Sequence, residues 1–207
     1  MDFNNKIIFA SNNQGKIKEM KAILKDSGIS IISAPEAGVT EEAEEDGKTF
    51  WENAKKKADF ISRETGEWAV ADDTGLCIEA LDGAPGVFSA RWAGENKNDR
   101  DLINHTLKKM DRVPKDQRRA WFESVVILMD PEGGYWSFDG RIYGHITQQP
   151  QGEIRTHLPY DLIFVPDGHT STFAQMNPEK KNDLSHRAKA FQKMKEFIKN
   201  NFHSHDR

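Results

Sequence analysis

The sequence predicts an α/β fold with a mixed β-sheet. Short apolar runs typical of buried strands alternate with longer segments whose apolar residues recur at helical spacing. The sequence Pro-Glu-Gly-Gly at residues 131–134 joins two strand-like segments and predicts an antiparallel hairpin. Because the alternation is irregular and includes this hairpin, a mixed sheet is favoured over a purely parallel one. At 207 residues the chain is predicted to form a single domain, 1–207, with its own core.

The first predicted strand and helix are joined by a turn suited to anions. Residues Lys6–Ala10 form a short apolar run, and apolar residues then recur at helical spacing between positions 17 and 24. The turn Ser11–Lys16 therefore lies at a helix N-terminus, where unpaired N–H groups and a lysine favour a phosphate. An ordinary capped helix start explains the same residues equally well. A P-loop is excluded because Gly15-Lys16 is followed by isoleucine and lacks the upstream glycine.

A second helix carries three consecutive lysines that are predicted to differ in exposure. Apolar residues between positions 50 and 61 share one helical face. Lys55 and Lys56 are predicted on the solvated side, whereas Lys57 projects towards the apolar side. A lysine there is rare unless it is paired or reaches a cleft. Alternatively, Lys57 could bury only its aliphatic stem and keep its ammonium in solvent, and the sequence favours neither arrangement.

Acidic residues are concentrated in two further segments. The strand Trp68–Ala71 is predicted to end at Asp72-Asp73, and carboxylates at a strand end can hold a hard cation or orient water. The loop Glu41–Asp46 is also acidic. Together the two segments could complete an oxygen-only Mg²⁺ site, although their spacing does not establish contact. A polar turn and a solvated loop are the alternatives.

The second half of the chain completes the predicted fold. A polar helix is expected over Asp99–Met110, the hairpin over Trp121–Met129 and Tyr135–Ile146, and a further strand over Leu162–Val165. The C-terminal helix is predicted to begin after Ser185 as N-cap, with one apolar stripe reaching residue 198.

Three basic or titratable residues cluster near the start of this last helix. Lys181, His186 and Arg187 could converge with free N–H groups on a ligand, or could serve only the structure. A charged histidine is disfavoured by the dipole at a helix N-terminus. We therefore expect His186 to be neutral and to act as a hydrogen-bonding partner.

Composition excludes several classes of protein. The formal net charge of -4 argues against a general nucleic-acid binder. The aliphatic stretch Val125–Met129 is too short to cross a bilayer, and mean hydropathy is -0.73. Cys77 is the single cysteine, and the N-terminal residues lack the features of a signal peptide. A cytoplasmic protein without membrane or nucleic-acid partners is expected.

Five segments in order resemble the inosine triphosphate pyrophosphatase family, also called XTP/dITP diphosphatases. They span nearly the whole chain. They are Ser11-Asn12-Asn13-Gln14-Gly15-Lys16, Glu-Asp-Gly-Lys-Thr-Phe-Trp-Glu-Asn-Ala at 45–54, Ala-Asp-Asp-Thr-Gly-Leu at 71–76, Gly-Ala-Pro-Gly-Val-Phe-Ser-Ala-Arg-Trp-Ala-Gly at 83–94 and Ser185-His186-Arg187. The resemblance implies an elongated mixed sheet flanked by helices, two lobes with a substrate cleft between them, and a homodimer.

The same resemblance implies an activity and assigns roles. The expected reaction is Mg²⁺-dependent hydrolysis of deaminated purine nucleoside triphosphates (ITP, dITP and XTP) to monophosphate and pyrophosphate. Asp73 and Lys57 would be catalytic, with Asp73 as proton acceptor, and Glu45 and Asp73 would bind the metal. Substrate contacts are implied for Ser11, Asn12, Asn13, Gln14, Gly15, Lys16, Thr74, Leu158, Pro159, Tyr160, Asp161, Lys181, His186 and Arg187.

One segment departs from the family pattern. Where relatives commonly have Gly-Phe-Gly-Tyr-Asp-Pro, residues His157–Leu162 read His-Leu-Pro-Tyr-Asp-Leu, so the stacking phenylalanine and two glycines are replaced. His157, Tyr160, another ring or an aliphatic wall from Leu158 could take the place of the phenylalanine. A pyrophosphatase for other modified nucleotides and a non-catalytic nucleotide-binding module therefore stay open as alternatives.

Overall fold

Strands and helices alternate through most of the chain. The computed structural model describes residues 3, 5–25, 27–153 and 158–202. The strands are β1 Lys6–Phe9, β2 Ser30–Ser33, β3 Ala69–Ile78, β4 Arg119–Met129, β5 Tyr135–Ile146 and β6 Phe164–Pro166. The α-helices are α1 Gln14–Ile23, α2 Phe50–Thr65, α3 Asp99–Lys109, α4 Pro178–Leu184 and α5 His186–Phe202. Short 3₁₀ turns lie at Glu79–Leu81, Gly86–Arg91, Lys115–Gln117, Pro159–Leu162 and Phe173–Gln175.

The strands of the described residues form one mixed sheet in the order β2-β1-β3-β4-β5-β6. Strand β1 is parallel to β2 and β3, whereas β3, β4, β5 and β6 pair in antiparallel fashion. The β4–β5 hairpin closes at the pair Met129 and Tyr135. Both the mixed sheet and the hairpin predicted from sequence are confirmed.

Helices cover both faces of the sheet because successive strand residues point in opposite directions. Ile7 and Phe9 pack in a cluster with residues of α1 and α5. Ile8 lies between them in the chain and packs in another cluster with α2. A third cluster joins the far ends of β3 and β4 to α3 and the 159–162 turn.

The predicted apolar faces of two helices are confirmed. In α2, Phe50, Ala54, Ala58 and Ile61 are buried, and each large side chain removed from water contributes about 1.5–3 kcal/mol. Thr49 and Glu52 form a capping box at its start. In α5, Ala188, Phe191, Met194 and Ile198 are buried. Ser185 is the N-cap as predicted, since its Oγ accepts the backbone N–H of Ala188 at 3.1 Å.

Several predicted boundaries are wrong. The strand expected to end at Ala71 continues to Ile78, because each residue from 69 to 78 pairs with β4. Gly75 permits a close approach there, since an added Cβ would lie 2.3 Å from the carbonyl oxygen of Gly86. The strand expected over Leu162–Val165 is Phe164–Pro166, because residues 159–162 form a 3₁₀ turn. Strand β2 and helix α4 were not predicted. No helix in the described part of the chain is long and apolar enough to cross a membrane.

Candidate active site

A cleft of about 370 Å³ lies beside the middle of β3. This volume falls within the range of pockets that bind small molecules. Most of the residues singled out from sequence line it: Ser11, Asn12, Asn13, Lys16, Glu45, Lys57, Asp73, Thr74, Leu158, Pro159, Tyr160, Asp161, Lys181, His186 and Arg187. Gln14 and Gly15 do not line the cleft and instead form the first residues of α1.

Asp72 and Asp73 project from opposite faces of β3. Both lie inside the strand, which corrects the prediction that they share a strand end. Because strand side chains alternate, Asp73 faces α2 while Asp72 faces α1 and α5. The two carboxylates therefore belong to separate ionic groups, and only Asp73 lines the cleft.

On the α2 side, Asp73 is held by three donors. Its Oδ2 accepts a hydrogen bond from Asn53 at 3.0 Å. Its Oδ1 accepts the backbone N–H of Thr74 at 3.1 Å and lies 3.5 Å from Lys57 Nζ. Burial raises the pKa of Asp73, although Lys57 and Lys16 oppose this effect. The carboxylate is thus fixed in orientation and is a better proton acceptor than an ordinary aspartate.

Lys57 is the inward-facing lysine predicted from helical spacing. Its Nζ lies 3.0 Å from Glu45 Oε1, and its side chain is 11% exposed. Burial disfavours its charge, but the carboxylates of Asp73 and Glu45 outweigh that cost and raise its pKa. Lys55 lies over the rings of Trp51 and Tyr135, and Lys56 pairs with Asp46 at the surface. The three lysines therefore differ as the helical pattern predicts.

Glu45 and Asp73 fit a hard divalent cation bound together with a ligand. Both carboxylates contact the ammonium group of Lys57, so two oxygen ligands lie close together in the same part of the cleft. No cluster of three or more potential metal-ligating side chains occurs among the residues that the structure describes. Magnesium sites with one or two carboxylates and substrate phosphates have this composition.

On the opposite face of β3, acidic and basic side chains alternate in a buried chain. Asp72 Oδ2 lies 3.1 Å from Lys16 Nζ and 3.3 Å from Arg187 Nε. Arg187 also pairs with Glu19, whose other oxygen lies 2.6 Å from Lys181 Nζ.

Lys181 completes this chain and joins it to the cleft. Its Nζ also contacts Asp161 Oδ2 at 2.5 Å in the 159–162 turn. Burial favours the neutral forms of Glu19 and Asp72, yet Arg187 and the lysines hold the pKa values of both carboxyls below normal. Glu19 and Asp72 are consequently ionised, and each is paired with two cations.

His186 differs from its neighbours because neither ring nitrogen is hydrogen-bonded. Its side chain is buried, and its ring stacks on Phe122 with centroids 4.7 Å apart and planes 12° apart. Burial, reinforced by the charges of Arg187 and Lys181, lowers its pKa well below the usual value. The unpaired buried polar atoms of the described side chains are His186 Nδ1 and Nε2, Asp72 Oδ1 and Trp92 Nε1. Of these residues only His186 lines the cleft, so its neutral ring offers one donor and one acceptor to a ligand.

The turn at residues 158–161 closes the cleft near His186. Tyr160 is buried, and its hydroxyl donates to the carbonyl oxygen of Ser89 at 2.6 Å. Leu158 and Pro159 also line the cleft. His157, considered above as a substitute for the family's phenylalanine, lies outside the described residues.

The turn Ser11–Lys16 begins α1 and borders the cleft. Asn13 caps α1, because its side chain accepts the backbone N–H of Lys16 at 3.1 Å. Asn12 donates to Glu42 at 2.6 Å in the acidic loop. The turn is thus an ordinary capped helix start that also lines the cleft. Burial lowers the pKa of Lys16, which Asp72 partly offsets.

Three residues of this region were not predicted from the sequence. Phe122 supplies the aromatic surface beneath His186, Asn53 fixes Asp73, and Glu19 joins Lys181 to Arg187. The burial of Asn53 could have been predicted, since it follows Phe50 by three positions on the apolar face of α2. The partners of Glu19 are distant in sequence, so no local pattern predicted its role.

The fold and cleft define an α/β protein whose site combines paired carboxylates, buried cations and an unpaired neutral histidine. The Ham1 family model matches residues 7–197, and this chain belongs to that family. It is 42% identical over 193 residues to a dITP/XTP pyrophosphatase of Desulforamulus reducens, covering 93% of this chain and 95% of the relative. The dITP/XTP pyrophosphatase of Bacillus subtilis is 39% identical over 191 residues, covering 92% and 96%.

Solved structures agree with this assignment. The Ham1 protein of Staphylococcus aureus superposes with a TM-score of 0.82 at 36% identity, covering 94% of this chain and 98% of that one. A HAM1 protein from Coxiella burnetii gives a TM-score of 0.84, with the same identity and coverage.

Proposed function

We propose that this protein hydrolyses deaminated purine nucleoside triphosphates, namely ITP, dITP and XTP, to the monophosphate and pyrophosphate. The relatives named above are dITP/XTP pyrophosphatases and align over nearly their whole length. The observation that carries the proposal is the contact of Lys57 with both Glu45 and Asp73 at one part of a cleft that also contains neutral His186. The enzyme removes damaged nucleotides from the precursor pool.

The phosphate end of the site requires a cation to accompany the substrate. Glu45 and Asp73 place two carboxylates against the single ammonium of Lys57. A triphosphate entering such a site would be repelled unless positive charge came with it. Mg²⁺ held by Glu45 and Asp73 would supply that charge and polarise the phosphate oxygens.

The chain's own residues then account for hydrolysis. Water adds across the anhydride bond between the α- and β-phosphates, and Asp73 accepts its proton. Asn53 and the Thr74 N–H hold the Asp73 carboxylate in a fixed orientation for this role. Lys57 and Lys16 stabilise charge that develops on the departing pyrophosphate, and the Ser11–Lys16 turn positions the phosphates.

The other end of the cleft recognises the base. A neutral His186 ring can donate to one atom of the base and accept from another. Arg187, Lys181 and the 158–161 turn surround the same space, and Phe122 fixes the plane of the His186 ring. A 6-oxo purine offers an acceptor where adenine offers an amino donor, and a mismatched buried polar group costs about 1–3 kcal/mol or more. The pocket is therefore expected to favour hypoxanthine and xanthine over adenine.

The proposal includes an assembly and a location. The protein acts as a homodimer in the cytoplasm, as the family resemblance implies. It acts on a free nucleotide, without nucleic-acid or membrane partners. Size-exclusion chromatography with light scattering measures the assembly.

One hydrolysis panel tests the function. The protein is incubated with ITP, dITP, XTP, GTP, ATP and pyrimidine triphosphates, with and without Mg²⁺, and monophosphate and pyrophosphate are quantified. We expect Mg²⁺-dependent release of equal amounts of both products from ITP, dITP and XTP. Comparable kcat/KM values for ITP and ATP would overturn the assignment to deaminated purines. Release of orthophosphate in place of pyrophosphate would overturn the reaction itself.

A second candidate follows from the altered segment at residues 157–162. Because the family's phenylalanine and glycines are replaced there, the protein could be a pyrophosphatase that acts on another modified nucleotide. The same panel, extended to methylated and modified pyrimidine triphosphates, separates the two by their kcat/KM values.

A further inference from the structure

Asn53 contacts both segments that carry the paired carboxylates. It lies in the first turn of α2 and is fully buried. Its Nδ2 donates to Asp73 Oδ2 at 3.0 Å, and its Oδ1 accepts the backbone N–H of Gly47 at 2.8 Å. Gly47 follows Glu45 by two residues in the loop before α2. One amide group therefore joins the strand that carries Asp73 to the loop that carries Glu45.

The surrounding geometry leaves little freedom at this junction. An added Cβ on Gly47 would lie 2.5 Å from Asn53 Oδ1, so the loop backbone approaches as closely as a glycine permits. On the other side, Arg91 Nη2 donates to the carbonyl oxygen of Glu45 at 2.9 Å. The remaining oxygen of Asp73, Oδ1, is directed to the Thr74 N–H and to Lys57. The loop and the carboxylate are thus held in a fixed relation.

Only an amide of this length satisfies both contacts. Asparagine offers a donor to the carboxylate and an acceptor to the backbone N–H from one short side chain. An ionised aspartate retains the acceptor but cannot donate, and its charge would repel Asp73. An aliphatic residue provides neither contact and leaves the Gly47 N–H without its side-chain acceptor.

We propose that Asn53 is a positioning residue that sets the separation and orientation of Glu45 and Asp73. It does not contact the reacting atoms and acts through Asp73 and the Glu45 loop. The inference rests on the proposed pyrophosphatase function, because it assigns the two carboxylates to one reaction. Misplacement of a reacting group by about 1 Å can lower a rate roughly 10²-fold.

Two substitutions separate the two contacts of Asn53. Asn53→Asp keeps the acceptor for Gly47 and replaces the donor to Asp73 with a negative charge. Gly47→Ala keeps the asparagine but places a Cβ 2.5 Å from its Oδ1, so it displaces the loop and disrupts the contact between the Gly47 N–H and Asn53. Ser62→Ala is the matched control, because Ser62 is a buried polar residue on α2 whose hydroxyl donates to the carbonyl oxygens of Glu67 and Asp130.

Steady-state kinetics with ITP, hydrogen–deuterium exchange of residues 41–48 and thermal unfolding are measured for all four proteins. We expect kcat of Asn53→Asp to fall about 10²-fold with KM within about threefold, and its loop exchange to match wild type. Gly47→Ala should lower kcat and also speed loop exchange. Ser62→Ala should lower the melting temperature and leave kcat and KM unchanged.

The outcomes distinguish this inference from the proposed function. Absence of ITP hydrolysis by the wild type would refute the pyrophosphatase proposal itself. An active wild type with an equally active Asn53→Asp variant would refute the positioning role. An equal loss of kcat in Ser62→Ala would also refute it, because any buried polar group on α2 would then have the same effect. If Asn53→Asp does not fold, unchanged kcat in Gly47→Ala decides against the inference and reduced kcat supports it.

Discussion

Substitution of Lys57 by methionine tests the ionic centre of the site most directly. Methionine keeps the length and apolar packing of the side chain and removes only the charge. Lys57 is 11% exposed, and its Nζ lies 3.0 Å from Glu45 and 3.5 Å from Asp73. The variant therefore leaves two carboxylates facing each other without a counter-charge.

The size of the effect follows from burial. Glu45 is 37% exposed and its contact is weakened by solvent, whereas Asp73 is 9% exposed and its contact is not. Removal of one partner of a buried ion pair costs about 3–5 kcal/mol, and protonation of Asp73 offsets part of that loss. Removal of one preorganised charge from a transition state lowers kcat by about 10²–10³-fold. We expect a loss of this order for Lys57→Met.

Lys55→Met and Lys56→Met are the matched controls on the same helix. Lys56 and Asp46 are 46% and 55% exposed, and such surface pairs contribute about 0–1 kcal/mol. Lys55 lies over exposed aromatic rings, and that contact contributes about 0.5–1 kcal/mol. Release of pyrophosphate from ITP and thermal unfolding are compared for all three variants. Equal, small losses of kcat at the three positions would refute the assignment of Lys57 to the active site.

Other predictions address the remaining groups. Asp73→Asn should abolish turnover in a folded protein, as checked by circular dichroism, and near-normal kcat would contradict its role as base. Glu45→Gln should raise the Mg²⁺ concentration needed for half-maximal activity. An unchanged Mg²⁺ titration would contradict a metal-binding role and would indicate that Glu45 is only part of a solvated loop. Because the pKa values of Glu19 and Asp72 are lowered in the folded protein, their stabilising contribution is present at neutral pH and is lost as pH falls below about 4.5. The melting temperature of Glu19→Gln should accordingly fall less than that of wild type between pH 7 and pH 3. Equal decreases in melting temperature for the two proteins would refute this contribution. Arg187→Ala should reduce the ratio of kcat/KM for ITP to that for ATP, and an unchanged ratio would exclude Arg187 from base recognition.

Helical periodicity predicted the α2 part of the site because it is a local property. Phe50, Ala54, Ala58 and Ile61 define one buried face, and Lys57 falls beside it by rotation of about 100° per residue. The same rotation places Asn53 on that face. The pattern therefore contained the residue that holds Asp73, but nothing local indicated its partner.

The length of β3 was not predictable from its own sequence. Asp72, Asp73 and Gly75 are poor strand formers, and the run Asp-Asp-Thr-Gly resembles a turn. They continue the strand because each pairs with β4, some 50 residues later, and because both carboxylates find cations. Tertiary contacts thus override local preference. Because the strand was predicted to end too early, both aspartates were expected at one strand end, whereas they occupy opposite faces of β3.

The division of charge between the two faces of β3 explains why neighbouring aspartates have different consequences. On the Asp72 face, three carboxylates pair with three cations among the described side chains from Asp161 to Lys16, so those cations already have acidic partners before a ligand enters. On the Asp73 face, two carboxylates share Lys57, and that end has an excess of negative charge. Under the proposed function, a triphosphate at the Asp73 end would therefore bring a cation with it, whereas a neutral base beside His186 would leave the charge balance unchanged. In the proposed function, the alternation of β3 thus places the two carboxylates that would hold a metal ion on one face, and Lys16, which would contact the phosphates, on the other.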